Sequence, residues 1–159
     1  MNSEGQAKNN PSKIITLAIY AVAMALVEAA VVIYLRELYY PTGFLIQTVA
    51  DVAVIPSRIL NVELWREAAT IIMLAAVAHL AFGYLQRKVA AFFWTFSIWD
   101  LTYYLSLFVF LSWPASLFTL DIYFLIPWPW IGPVLFPVAL FSIIAVVSLW
   151  FIIKPKSES

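Results

Sequence analysis

A chain of 159 residues that is 64% hydrophobic and 11% charged lies far from the soluble range, where about half the residues are apolar and about a quarter charged. Formal net charge is zero, so no basic field exists to gather nucleic acid and no nucleic-acid partner is expected. The absence of cysteine excludes disulfides, thiolate metal sites and thiol redox chemistry, and the lone histidine, His79, excludes a bis-histidine haem within one chain.

Met1 to Lys13 is polar, contains Asn9, Asn10 and Pro11, and reads as a flexible tail. The first apolar run, Ile14 to Leu35, is too long for the core of a signal peptide, and no small-residue cleavage motif follows it. It is expected to be a retained spanning helix. Three more runs follow at Leu64 to Leu85, Val89 to Trp113 and Val134 to Ile153. Each is near the roughly 20 residues that cross a hydrocarbon core of about 30 Å. The expected fold is all-α: a single domain of four transmembrane helices over residues 14–153, with a second tail at 154–159.

Two connections are long enough to hold structure. Between the first two runs, the apolar stretch Phe44 to Ile55 is too short to span and predicts a short helix lying at the interface. Before the fourth run, Ala115 to Ile126 has room for a half-helix, whereas Pro127-Trp128-Pro129-Trp130 and Pro133 forbid regular helix. Apolar but irregular backbone survives at membrane depth only where protein or water satisfies it. A re-entrant or interfacial Pro/Trp-rich cap is therefore expected. Trp65, Trp113, Trp128 and Trp130 gather at that end, as an aromatic belt would.

With four crossings, Lys8, Lys13, Arg87, Lys88, Lys154 and Lys156 share one side, and Arg36, Arg58 and Arg66 the other. Cations accumulate on the cytoplasmic side, which predicts a plasma or inner membrane protein with both termini cytoplasmic. The opposite side carries only arginines, interspersed with Glu37, Asp51, Glu63 and Asp121. Arginine forms forked pairs with carboxylates, so an ion-paired layer is expected there, with Arg36 and Asp121 as lids.

Acids at membrane depth are costly and are usually retained for a partner or a task. At a rise of about 1.5 Å per residue, Glu28 lies roughly 21 Å and Asp100 roughly 16 Å from the lysine side, with Glu67 at roughly 24 to 27 Å. Glu63, Glu67 and Thr70 share a face of the second helix, and Asp100, Tyr103 and Tyr104 a face of the third. Ala21, Ala25 and Ala29 form a small-residue stripe suited to close packing. The expected polar cluster is Glu28, Glu63, Arg66, Glu67, Asp100, Tyr103 and Tyr104. Its acids outnumber its cations, so some must be protonated or bind a cation, and Glu28, Glu67 and Asp100 are candidate ligands for a hard metal ion. His79 faces away from Glu63 and is expected to pack against a neighbouring helix.

The residues Glu63 with Arg66-Glu67-Ala68-Ala69-Thr70, Trp99-Asp100 with Tyr103-Tyr104, and Ile126-Pro127-Trp128-Pro129-Trp130 with Pro133 and Pro137 resemble a group of small bacterial integral membrane proteins to which no activity is attached. That resemblance implies membrane location and bacterial origin. The aromatic content and length are similar to those of the tryptophan-rich sensory protein family, but that family's five-helix pattern is absent.

Three functional readings follow. The first is a structural or assembly subunit, within a homo-oligomer or larger membrane complex, whose helices are tied by Arg, carboxylate and Tyr contacts. The second is a cation- or proton-binding or transport protein, and the third an intramembrane enzyme, with or without a metal, acting on a lipid-like substrate. No phosphate-cradling glycine loop, His-Glu-x-x-His motif or nucleophile elbow is present. No inverted repeat of the kind common in secondary transporters emerges. No cofactor is assigned.

Overall fold

The computed structural model describes residues 11–154, and what was expected of residues 1–10 and 155–159 lies outside them. Four helices appear: α1 Pro11–Tyr39, α2 Ser57–Ala81, α3 Leu85–Leu111 and α4 Leu135–Ile153. Successive helices run antiparallel. Lys13 Nζ donates to the Ala81 carbonyl at 2.8 Å and Arg87 donates to the Lys154 carbonyl at 3.2 Å, so one end of the bundle is the lysine end. The arginines Arg36, Arg58 and Arg66 belong to the other.

Three helices, α1, α2 and α4, are long and apolar enough to cross a membrane. Their apolar residues also point outward, as Ile19, Ile72 and Val146 do, which suits lipid rather than water. α3 is as long but turns its polar residues inward, and its position explains why. It packs against all three other helices and buries Thr95, Ser97, Trp99, Asp100, Tyr104 and Ser106. Its hydroxyls are satisfied locally: Thr95, Ser97 and Ser106 donate to the carbonyls of Ala91, Phe93 and Thr102 at 2.7 to 2.8 Å.

The alanine stripe of α1 packs as expected. Ala21, Ala25 and Ala29 are fully covered, and Ala21 and Ala25 lie in one cluster with Leu74 of α2 and Trp99 of α3. Small side chains let the helix backbones approach.

Helix bounds depart from the apolar runs where polar residues continue a helix past the apolar zone. α2 starts at Ser57, about two turns before Leu64, because Pro56 ends the preceding loop and its carbonyl accepts from Ile59 and Leu60. It stops at Ala81, and Phe82-Gly83-Tyr84 makes the turn. Arg87 and Lys88 therefore lie in the first turn of α3 instead of in a loop.

The two long connections differ from expectation. The first holds only a short 3-10 turn, Val49–Val54, in place of a helix over Phe44 to Ile55. Asp51 Oδ2 accepts from the amides of Gln47 and Thr48 at 2.9 and 2.7 Å, and this capping starts the turn at Val49. Pro56 closes the connection.

The second connection contains no half-helix. Its backbone forms an antiparallel ribbon, β1 Leu120–Ile122 with β2 Ile131–Pro133, in register Leu120 with Pro133, Asp121 with Gly132 and Ile122 with Ile131. Tyr123 N–H to Trp130 O and Trp130 N–H to Phe124 O, both 2.8 Å, extend it. Pairing satisfies backbone groups that the prolines deny to a helix. Gly132 is required here: a β-carbon on it would lie 2.9 Å from Cζ of Tyr123, whose hydroxyl donates to Pro133 O at 2.6 Å. The all-α expectation is thus corrected by one small ribbon.

Candidate functional site

The expected cluster resolves into three ties and one unpaired acid. In the first tie, Arg66 of α2 binds Glu28 of α1 through Nη1 and Glu63 of its own helix through Nε and Nη2, at 2.8 and 2.6 Å. The i, i+3 spacing brings Glu63 to Arg66, while the link to Glu28 joins two helices. The buried Thr70 hydroxyl lies beside the Glu28 carboxylate.

The second tie joins α1 to the ribbon. Arg36 Nη2 bonds Asp121 Oδ1 at 3.1 Å, and both residues are buried, with 6% and 1% exposure. They form an interior node rather than outer lids. The guanidinium sits in a corner made by Phe44 and Trp113, 3.8 Å from each ring centroid, with the rings 80° apart. Aromatic faces attract a cation that has lost its water. Burial pushes the Asp121 carboxyl up from its ordinary range, and the charge of Arg36 and the Ile122 amide pull it back.

In the third tie, both oxygens of Glu67 accept from the Leu125 N–H, at 3.1 and 3.0 Å. This N–H lies in the loop whose prolines leave amides without ladder partners.

Asp100 is buried, and its Oδ2 has no hydrogen-bond partner. Asp121 is the acid near it, with Tyr104 beside Asp121 and the ring of Tyr103 5.1 Å from that of Tyr104. Arg36 Nε and Nη1 and Asp121 Oδ2 also lack partners.

Between the ties lies a chamber of about 90 Å³, walled by Arg36, Glu63, Arg66, Glu67, Tyr103 and Asp121 among apolar side chains. A water needs only about 10 to 15 Å³, so the chamber has room for several waters or one small solute. Glu28, Asp100 and Tyr104 stand outside its wall. Glu28, Glu67 and Asp100 are not gathered as metal ligands, and no group of three acids or histidines among the described residues is placed to hold a metal ion.

The loop between α1 and α2 adds one more polar contact to the wall of the chamber. Tyr40 donates to the Asp51 carbonyl at 3.0 Å, and burial raises its hydroxyl above the ordinary range. Asp51 is held below the ordinary carboxylate range by the amides of Gln47 and Thr48. Burial and then the charge of Asp121 push Tyr123 up to about 12.

His79 lies at the lysine end, where Lys88 Nζ is 3.3 Å from both ring nitrogens. It is exposed, not packed into the bundle. Trp65, Trp128 and Trp130 are exposed together at the arginine end, but Trp113 turns inward onto Arg36. The roles of Phe44, Trp113 and the Leu125 amide had no signal in residue spacing. Pro127 and Pro129 alone hinted that free amides would lie near Leu125.

No family model, curated protein or solved structure matches the chain.

Proposed function

We propose that this is a four-pass membrane protein with both ends cytoplasmic, in which the non-cytoplasmic half of the bundle serves a structural role, as a subunit of a homo-oligomer or larger membrane complex. α3 supplies the fourth crossing: only a three-residue turn separates it from α2, and its 27 residues cover about 40 Å. The observation that carries the structural reading is that each tie joins different elements. Arg66 with Glu28 joins α2 to α1, Arg36 with Asp121 joins α1 to the ribbon, and Glu67 with Leu125 joins α2 to the ribbon loop. Together they fasten the cap over the bundle.

The test is Arg36→Gln in purified protein, read by amide hydrogen exchange over residues 117–135 and by the mass of co-purifying species. Faster exchange there with no change in bound species is expected. Unaltered protection would refute the structural role.

A second reading, proton or small-cation binding, is favoured by the partnerless oxygens of Asp100 and Asp121 beside a single arginine. It expects Asp100→Asn to abolish a measurable proton uptake. The enzyme reading looks for a lipid-sized cavity touching Asp100, and a chamber of about 90 Å³ whose wall omits that residue gives it no support.

A further inference from the structure

The lysine end differs from the arginine end in sign as well as residue type. Lys13, Arg87, Lys88 and Lys154 lie there, and no acid among the described residues does. Immediately beneath Arg87 and Lys154 a groove of about 640 Å³ runs between α3 and α4, with Gln86 and Phe151 at its mouth and Phe93 and Ile143 at its depth. Seven residues of α3 separate mouth from depth, about 10 Å along the helix. Val89 and Val147 line it and remain nearly half exposed.

An apolar slot that opens under a purely basic collar matches a molecule with an apolar chain and an anionic head. We propose that this groove binds one acyl chain of an anionic phospholipid from the leaflet at the lysine end, with its phosphate held by Arg87 and Lys154. Arg87 spends one nitrogen, Nη2, on the Lys154 carbonyl, and guanidinium N–H donors beyond that one suit phosphate oxygens. Lys154 Nζ lies over the Trp150 ring at 4.5 Å, which places its charge at the level where aromatic rings meet headgroups. The site rests on the membrane reading alone and is independent of the ties at the arginine end, so loss of either leaves the other standing.

The experiment uses the full chain, delipidated in mild detergent and offered dioleoyl phosphatidylglycerol, dioleoyl phosphatidylcholine or inorganic phosphate, with bound adducts counted by native mass spectrometry. One retained phosphatidylglycerol is expected, with weaker retention of phosphatidylcholine and none of phosphate. Each basic residue near an anionic lipid surface contributes roughly a five-fold factor. Lys154→Gln should therefore weaken binding of phosphatidylglycerol by about that much and leave phosphatidylcholine unchanged. Val147→Trp, which fills the slot from an exposed position, should remove the adduct while leaving the helical circular dichroism intact. Equal retention of the two lipids, undiminished binding to the Val147→Trp variant, or a lipid-free dimer that this variant dissociates would each overturn the proposal.

Discussion

Arg66 neutralises two buried acids at once, so its loss and the loss of one of its partners are expected to differ sharply. The Glu28 and Glu63 side chains are 11% and 8% exposed, and both touch its guanidinium. Arg66→Met would leave two carboxylates facing each other out of water, and breaking a buried pair in this way costs about 3 to 5 kcal/mol. Glu28→Gln removes one charge but leaves Arg66 paired with Glu63 through two short contacts, so about 1 to 2 kcal/mol is expected. Combining Arg66→Met with Glu28→Gln and Glu63→Gln removes the stranded charges, and the triple variant should recover more than half of the loss, a coupling that additive behaviour does not allow. Reversible unfolding in mixed micelles, followed by far-ultraviolet circular dichroism, measures all three. If Arg66→Met costs no more than Glu28→Gln, or the triple variant is as unstable as the single one, the carboxylates are not held by that arginine.

Two further outcomes bear on the packing and the cap. Ala25→Leu, at a position with 0% exposure, should destabilise by about 1 to 3 kcal/mol through overpacking, whereas Val22→Leu on the exposed side of the same helix should leave the same unfolding midpoint unchanged. Tyr123 should titrate near 12, seen as a phenolate absorbance change missing from Tyr123→Phe. Its neutral form donates to Pro133 and is favoured by the fold. The stability it contributes is therefore fully present below its ordinary value of about 10 and lost as pH rises from there through 12. A difference titration centred near 10 would contradict the half-buried placement of Tyr123 beside Asp121.

The parts legible from spacing are those governed by contacts within one segment. The i, i+4 alanines of α1 pack as a stripe because helix geometry alone puts them on one face, and the Glu63 and Arg66 pair follows from i, i+3 proximity. Helix bounds were less legible, since Ser57 to Glu63 extends α2 beyond its apolar stretch and the backbone does not end where hydropathy does. The candidate site was half legible. Glu28, Glu67 and Asp100 were identifiable because each lies in an apolar run, but the division of the acids among three ties was not, because side chains at similar depth still point around a helix in directions that only packing sets. Glu67 illustrates this: its partner is a backbone amide, to which residue identity gives no clue.

Composition and hydropathy by themselves determined the long apolar helices, their alternation, and the gathering of the lysines at one end. These follow from the free energy of each segment taken alone. Only the tertiary structure decided that residues 120–133 pair as a ribbon, that Arg36 meets Asp121 across 85 positions of sequence, and that Trp113 turns inward to cover that charge. Such contacts exist only after the loops have closed, when burial has removed water and a cation must find its oxygen and its aromatic rings within the chain.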